Sequence, residues 1–215
     1  NFKIVNIIKG IYFFYKFILK NNKKIHNRKN FAKVTFFSYF LHFKNTNSDS
    51  YNSYLWDGLS DKLKMMKINT NWMHFFVPSS QINNINEAKK KLTRINENTN
   101  ENHLLLNNQI SFYKLLTIFL QYLTFFLKNL IYLNDKELLK NSISKTNFYY
   151  FLVQDIYKSY YGEVLIYNLH IIQTIDQILS TIPKQKLGFY LLENQGWEKC
   201  LNIMWKRYNH KTLAG

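Results

Sequence analysis

Residues 186–215, KLGFYLLENQGWEKCLNIMWKRYNHKTLAG, constrain the fold of this chain more than any other stretch. They read as a buried strand over 187–192, a polar turn, a helix over 196–208 and the start of another strand. Strand, helix and strand in that order make a βαβ step, and such steps build parallel sheets. Ligands of open α/β sheets bind beyond the carboxyl ends of the strands. Glu193, Asn194 and Gln195, a carboxylate and two amides, follow the strand at that position. Gly215 falls where the new strand enters the sheet, and residue 1 is Asn rather than Met. Both ends predict one part of a longer protein, cut within its second strand.

The rest of the chain repeats the alternation. KVTFFSYF over 33–40 and INTNWMHFFV over 68–77 have strand length and strand composition, and 104–106 is a short further candidate. Pro78, Ser79 and Ser80 stop the second run and cap the helical stretch after it. Helical patterns cover 58–67, with Leu59, Leu63 and Met66 on one side, and a lysine-rich amphipathic stretch covers 82–95. A longer helical region over 148–181 has a break near Gly162 and ends before Pro183. The final helix is expected to bury Trp197, Leu201, Met204 and Trp205. This order predicts the α/β class: a Rossmann-like, mostly parallel sheet with helices on both faces, truncated at the C-terminus. No linker with a shift in composition interrupts it, so 1–215 reads as a single domain.

Two segments raise the question of a membrane. Residues 2–20 are apolar but carry Lys3, Lys9, Lys16 and Lys20, too many charges for a span. They read as an amphipathic helix packed on the domain or lying at a membrane surface, followed by a basic loop over 21–30. Residues 110–133 are longer and more apolar. Their polar residues Lys114, Thr117, Gln121, Thr124 and Lys128 recur at helical steps and form one stripe. The stripe predicts a core helix buried on its other sides, with Lys114, Gln121 and Lys128 turned to solvent or a polar cleft, or else a helix lying in a membrane interface; a lipid-exposed span gains nothing from it.

The formal net charge is +16 and the pI about 9.7. Attraction to polyanions is one reading. The other is biased composition, because Asn, Lys, Ile, Tyr and Phe crowd the chain while only Arg28, Arg94 and Arg207 supply the bidentate fork that phosphate readers favour. Cys200 is the sole cysteine, so no internal disulfide forms and no cysteine-based zinc site exists. It reads as an inert thiol among apolar neighbours, in keeping with a reducing cytoplasm. The six histidines show no metal-ligand spacing, and no glycine-rich phosphate loop or nucleophile elbow is present.

Three strand ends carry candidate site residues: Ser38 and Tyr39, then Asn71, Trp72 and His74, then Glu193, Asn194 and Gln195. A parallel sheet delivers its strand ends to one edge, which predicts that Ser38, His74 and Glu193 meet in one cleft. Glu193 is the candidate general base or orienting carboxylate, or else an acid placed before a helix whose dipole stabilises it. His74 is either an acid/base group or a satisfied structural histidine. Trp72 and Trp197 are core residues or stacking platforms. Glu198 reads as a charge in the first helical turn.

From Tyr190 onward, YLLENQGWEKCLNIMWKRYNHKTLAG resembles a segment of a family of bacterial surface-carbohydrate biosynthesis proteins, in which a strand leads into E-N-Q-x-W-E, a helix and a basic tail. The W-D-G-L and N-W-M-H motifs within 54–75 resemble an earlier segment of that family, and FFSYF at 36–40 its leading strand. Asn209 and Lys211 depart from the glycines that flank the family's histidine, and Ser60 replaces a proline. The resemblance covers about a third of the chain. It implies a glycosyltransferase-like protein of GT-B architecture, with this segment as its acceptor-side domain. Glu193 and His74 would then be catalytic, with Ser38, Tyr39, Asn71, Trp72, Asn194 and Gln195 binding substrate. The expected partner is a glycan or lipid-linked sugar acceptor. No cofactor is expected in this segment, since the nucleotide-sugar donor would need the missing C-terminal domain, and no metal is implied, because no carboxylate pair with D-x-D spacing stands at a strand end. The location implied is cytoplasmic, peripheral at the inner membrane, with no specific nucleic acid partner. The alternative is a non-catalytic basic module binding nucleic acid or an anionic membrane surface. A third reading is an interaction domain with a degenerate cleft.

Overall fold

The computed structural model describes residues 2–19, 31–45, 48–108, 110–132 and 149–215. Its helices are α1 Phe2–Phe13, α2 Leu59–Met65, α3 Ile85–Asn98, α4 Phe112–Tyr132, α5 Tyr149–Tyr161, α6 Glu163–Thr181 and α7 Gly196–Arg207. Its strands are β1 Val34–Tyr39, β2 Asn71–Phe75, β3 Asn102–Leu105, β4 Leu187–Tyr190 and β5 Thr212–Ala214. Two compact units are distinguished. A sheet unit comprises residues 24–109 and 175–215, and a helical unit comprises 1–23 and 110–174. The basic loop expected over 21–30 lies outside the described residues.

The sheet unit is α/β and Rossmann-like. Its five strands are all parallel, in the order β3-β2-β1-β4-β5. The chain builds outward from β1 in one direction, then returns to β1's other side with β4. That reversal makes the β1/β4 edge the switch point at which such sheets bind ligands. The expected strands all form, and the start of a strand after the last helix is β5.

Side chains alternate between the two faces of the sheet. On one face Phe36 stacks on Trp72, with ring centroids 4.4 Å apart, and on Phe189 at 5.0 Å. Ala88, Leu92 and Ile95 of α3 cover these rings together with Phe40, Phe43 and Tyr51. α3 begins at the Asn84 cap, whose side chain accepts from the backbone N–H groups of Asn86 and Glu87. On the other face Trp205 of α7 lies against β4, because Gly188 has no side chain there. A Cβ at Gly188 would come within 2.5 Å of the Trp205 ring. Phe37 meets the same indole edge-on at 6.4 Å. Helices thus cover both faces. His210 ties the entry of β5 to its surroundings: its Nδ1 accepts from the Gln185 backbone N–H at 3.1 Å, and its Nε2 lies 3.2 Å from the Leu179 carbonyl.

The helical unit is built from α1, the π-helical turn Phe14–Leu19 that continues it, α4, α5 and the first part of α6. Leu115, Ile118 and Tyr122 of α4 pack with Ile110, Ile166 and Leu169, and Phe13 and Phe14 lean on this cluster. The Tyr122 hydroxyl donates to the Tyr161 carbonyl at 2.7 Å. The helical region breaks at Gly162, as its sequence predicts, and a Cβ there would crowd the Lys158 backbone at 3.0 Å.

α4 corrects one expectation. It buries a single face, and its polar stripe is not the only exposed side. Phe112 is 79% exposed, and Tyr113, Leu116, Phe119, Leu120, Leu123 and Leu127 are exposed as well. Thr117 and Gln121 are half-buried, and Gln121 accepts from Gln173 at 3.1 Å. The stripe therefore separates a buried apolar face from an exposed apolar face. Among the described residues, no helix is long and apolar enough to cross a membrane.

Candidate functional site

At the switch point, the carboxyl ends of β1, β2 and β4 present Tyr39, Phe75 and Tyr190, and α7 brings Trp197 among them. The Trp197 ring lies 4.6 Å from Phe75, 6.1 Å from Tyr190 and 6.4 Å from Tyr39 by centroids. Its Nε1–H donates to the Tyr39 hydroxyl oxygen at 3.3 Å. The Glu193 carboxylate lies near enough to the Tyr39 hydroxyl to bear on its proton. Burial pushes the Tyr39 phenol up to about 12; the Trp197 hydrogen bond opposes this and the Glu193 and Glu198 carboxylates add to it. Tyr39 is thus a neutral donor at every physiological pH.

The turn after β4 is shaped by Glu198. Its Oε1 accepts from the backbone N–H groups of Glu193 and Gln195, both at 2.9 Å. Glu198 is only 4% exposed, so this is a buried, charge-assisted clamp at the start of α7. Asn194 between the clamped residues sits at φ 58°, the left-handed region that asparagine tolerates better than most side chains. Glu193, Asn194 and Gln195 are all exposed. The result is an aromatic floor with a carboxylate and two amides at its rim.

Of the residues that the sequence singles out, Tyr39, Glu193, Asn194 and Gln195 come together here. Ser38, Trp72 and His74 do not. Ser38 and His74 are register partners, so they share the α3 face, opposite Tyr39. Both are buried: Ser38 Oγ accepts from Trp56 Nε1 at 2.7 Å, and the His74 ring packs against Tyr51 and Phe40. The expected single cleft holding Ser38, His74 and Glu193 is therefore corrected. The pleat that aims Tyr39 at α7 aims Ser38 and His74 into the core. Trp72 is sealed between Phe36 and His103 as a core residue. Asn71 stands at the opposite, amino end of β2. Its amide donates to the Ala32 carbonyl and Thr35 and accepts from the Ala32 N–H and Asn102.

His74 belongs to a buried polar chain. His74 Nε2 is 2.9 Å from His103 Nδ1, and His103 Nε2 faces Glu101 Oε2 at 3.5 Å. Glu101 also meets Lys64 at 3.5 Å and accepts from Thr70 and the Trp72 indole, both at 3.3 Å. With His103 donating toward Glu101, its Nδ1 accepts from His74, and the buried His74 Nδ1 is left without a partner. Burial, then His103, holds the His74 imidazole well below its usual range. Burial pushes the Glu101 carboxyl up, but His103, Lys64 and Trp72 together outweigh it and the net shift is downward. The side chains form a buried chain within the core, whose nitrogens point at one another and at Glu101 rather than at a shared ion. Among the described residues, no three histidine, cysteine or acidic side chains are placed to hold a metal. Burial, then Asp176, pushes the Cys200 thiol up to about 11, which keeps it protonated and unreactive.

Sequence reasoning favours the core for Trp197 and reads Glu198 only as a dipole charge. The Gln195-x-x-Glu198 spacing is a capping-box signature that points to Glu198. Glu101 and His103 carry no motif, and only the β2/β3 register joins them to His74. No family model matches the chain, and no curated protein or solved structure shows significant similarity to it.

Proposed function

We propose that this chain is the acceptor-side domain of a glycosyltransferase-like enzyme of surface polysaccharide assembly. One observation carries the reading: an exposed carboxylate, Glu193, beside the Tyr39–Trp197 pair at the switch point of the sheet. Sugars offer hydroxyls to carboxylates and amides and apolar ring faces to aromatic side chains, and the rim and floor supply both. Glu193 orients an acceptor hydroxyl and takes its proton as that oxygen attacks the donor's anomeric carbon, whose bond to the nucleoside diphosphate breaks as the diphosphate leaves. Asn194 and Gln195 fix neighbouring hydroxyls. The nucleotide-sugar donor is assigned to a second domain outside this segment. His74 takes no part, because its ring is sealed in the core.

The test has two levels. Titration of the chain with a panel of oligosaccharides, followed by tryptophan fluorescence, should show saturable binding that Glu193→Gln and Trp197→Ala weaken. In the intact enzyme, Glu193→Gln should lower turnover about 10²–10⁴-fold with the fold preserved. Unchanged turnover in that variant ends the general-base assignment. Oligosaccharide binding that ignores both substitutions ends the site.

A further inference from the structure

We propose that the exposed apolar face of the helical unit seats on an anionic lipid surface. On α4, Phe112, Leu116 and Leu120 are exposed along one side, and on α1 the same holds for Ile4, Ile8 and Ile11. Phe14, just past α1 and packed on the buried cluster, contacts Phe119 of α4 with ring centroids 5.9 Å apart. Large apolar side chains exposed along two helices mark an interaction surface, so they call for an occupant.

Charge selects the occupant. Residues 2–19 and 112–132 contain five lysines and no aspartate or glutamate. The exposed Lys9, Lys16 and Lys128 follow the helical periodicity to the flanks of the apolar faces, where a long stem lies along apolar surface and the ammonium reaches outward. Tyr12, Tyr15 and Tyr113 are exposed at the patch, and Lys16 lies over the Tyr12 ring at 5.3 Å. Apolar side chains flanked by lysine and tyrosine, with no acid among them, match the boundary between acyl chains and anionic headgroups. A protein partner or a second copy would have to meet the same unrelieved positive charge. The helices lie in such a surface rather than cross it, since none is long and apolar enough to span. This inference does not rest on the sugar-acceptor reading, because no residue of the switch-point site is used.

Co-sedimentation of the whole chain with vesicles tests it. The chain should pellet with vesicles of equimolar phosphatidylglycerol and phosphatidylcholine, and high salt should weaken this. Pure phosphatidylcholine should retain far less. The double variant Leu116→Glu/Leu120→Glu should stay in the supernatant with unchanged circular dichroism, since both positions are exposed. The triple variant Lys9→Gln/Lys16→Gln/Lys128→Gln should bind on the order of 100-fold more weakly. Failure of the wild-type chain to pellet with the anionic vesicles overturns the proposal, as does equal binding to the neutral ones. So does a dimer in sedimentation equilibrium that the leucine variant dissociates while vesicles go unbound, which would make a second copy the occupant.

Discussion

The sheet unit and the helical unit draw on the same pool of aromatic and aliphatic side chains and place them differently. In the sheet unit Phe36, Phe37, Trp72 and Trp205 are almost fully enclosed, each between a strand and a helix. In the helical unit the large residues of α4 are divided, with Leu115, Ile118 and Tyr122 inside and Phe112, Leu116 and Leu120 outside. An apolar residue at helical spacing reports a face, and only the neighbouring elements decide whether that face is core. Substitutions should therefore act very unequally in the two units.

The largest effect should come from Trp205→Ala. It empties the space over Gly188 and Phe37 and should cost about 3–5 kcal/mol in urea denaturation. A cost below about 1 kcal/mol would show that α7 is not the lid of this face. Acid comes next and acts on both units. Burial pushes the His170 imidazole of the helical unit down to about 4 from 6.5, and holds His74 and His210 of the sheet unit below their usual range. For such a group the unfolded chain takes up the proton first. Stability should therefore hold above pH 6.5 and fall as pH drops below it, with His170 alone removing about 3 kcal/mol by its folded pKa near 4. Denaturation midpoints that do not change between neutral pH and the acid side of this window would contradict the burial of these rings.

Gly188→Ala sharpens the comparison by filling rather than emptying. Its Cβ would meet the Trp205 ring and should cost about 1–3 kcal/mol, visible as a lower melting temperature. Leu120→Ser should have the smallest effect. At an exposed position of α4, it should shift stability by no more than about 0.5 kcal/mol. A larger loss would mean that this face is covered in the folded protein.

The α/β class was legible because strand-length aromatic runs alternate with helical periodicity, and VTFFSY, NWMHF and LGFY all became strands. What does not show in sequence is register. Ser38 and Tyr39 are adjacent letters on opposite faces, and only the pairing of Ser38 with His74 reveals that Tyr39 is the one that meets α7. Glu193 stood out because a carboxylate in the turn after a strand is a local pattern. Trp197 did not, because an indole in the first turn of a helix looks the same whether it fills a core or floors a site. The exposed face of α4 was one of two readings that its polar stripe left open. The stripe from Lys114 to Lys128 marks a boundary, and a boundary has two sides.

The Glu198 clamp has a consequence for recognition. With two N–H groups of the turn fixed to one buried oxygen and Asn194 held at a left-handed φ, the rim is formed before any ligand arrives. The backbone entropy of ordering these residues, about 1–2 kcal/mol each, is lost when the chain folds rather than when it binds. On the sugar-acceptor reading proposed above, a ligand would meet a template already formed, and its capture would be set by encounter and orientation instead of by loop closure.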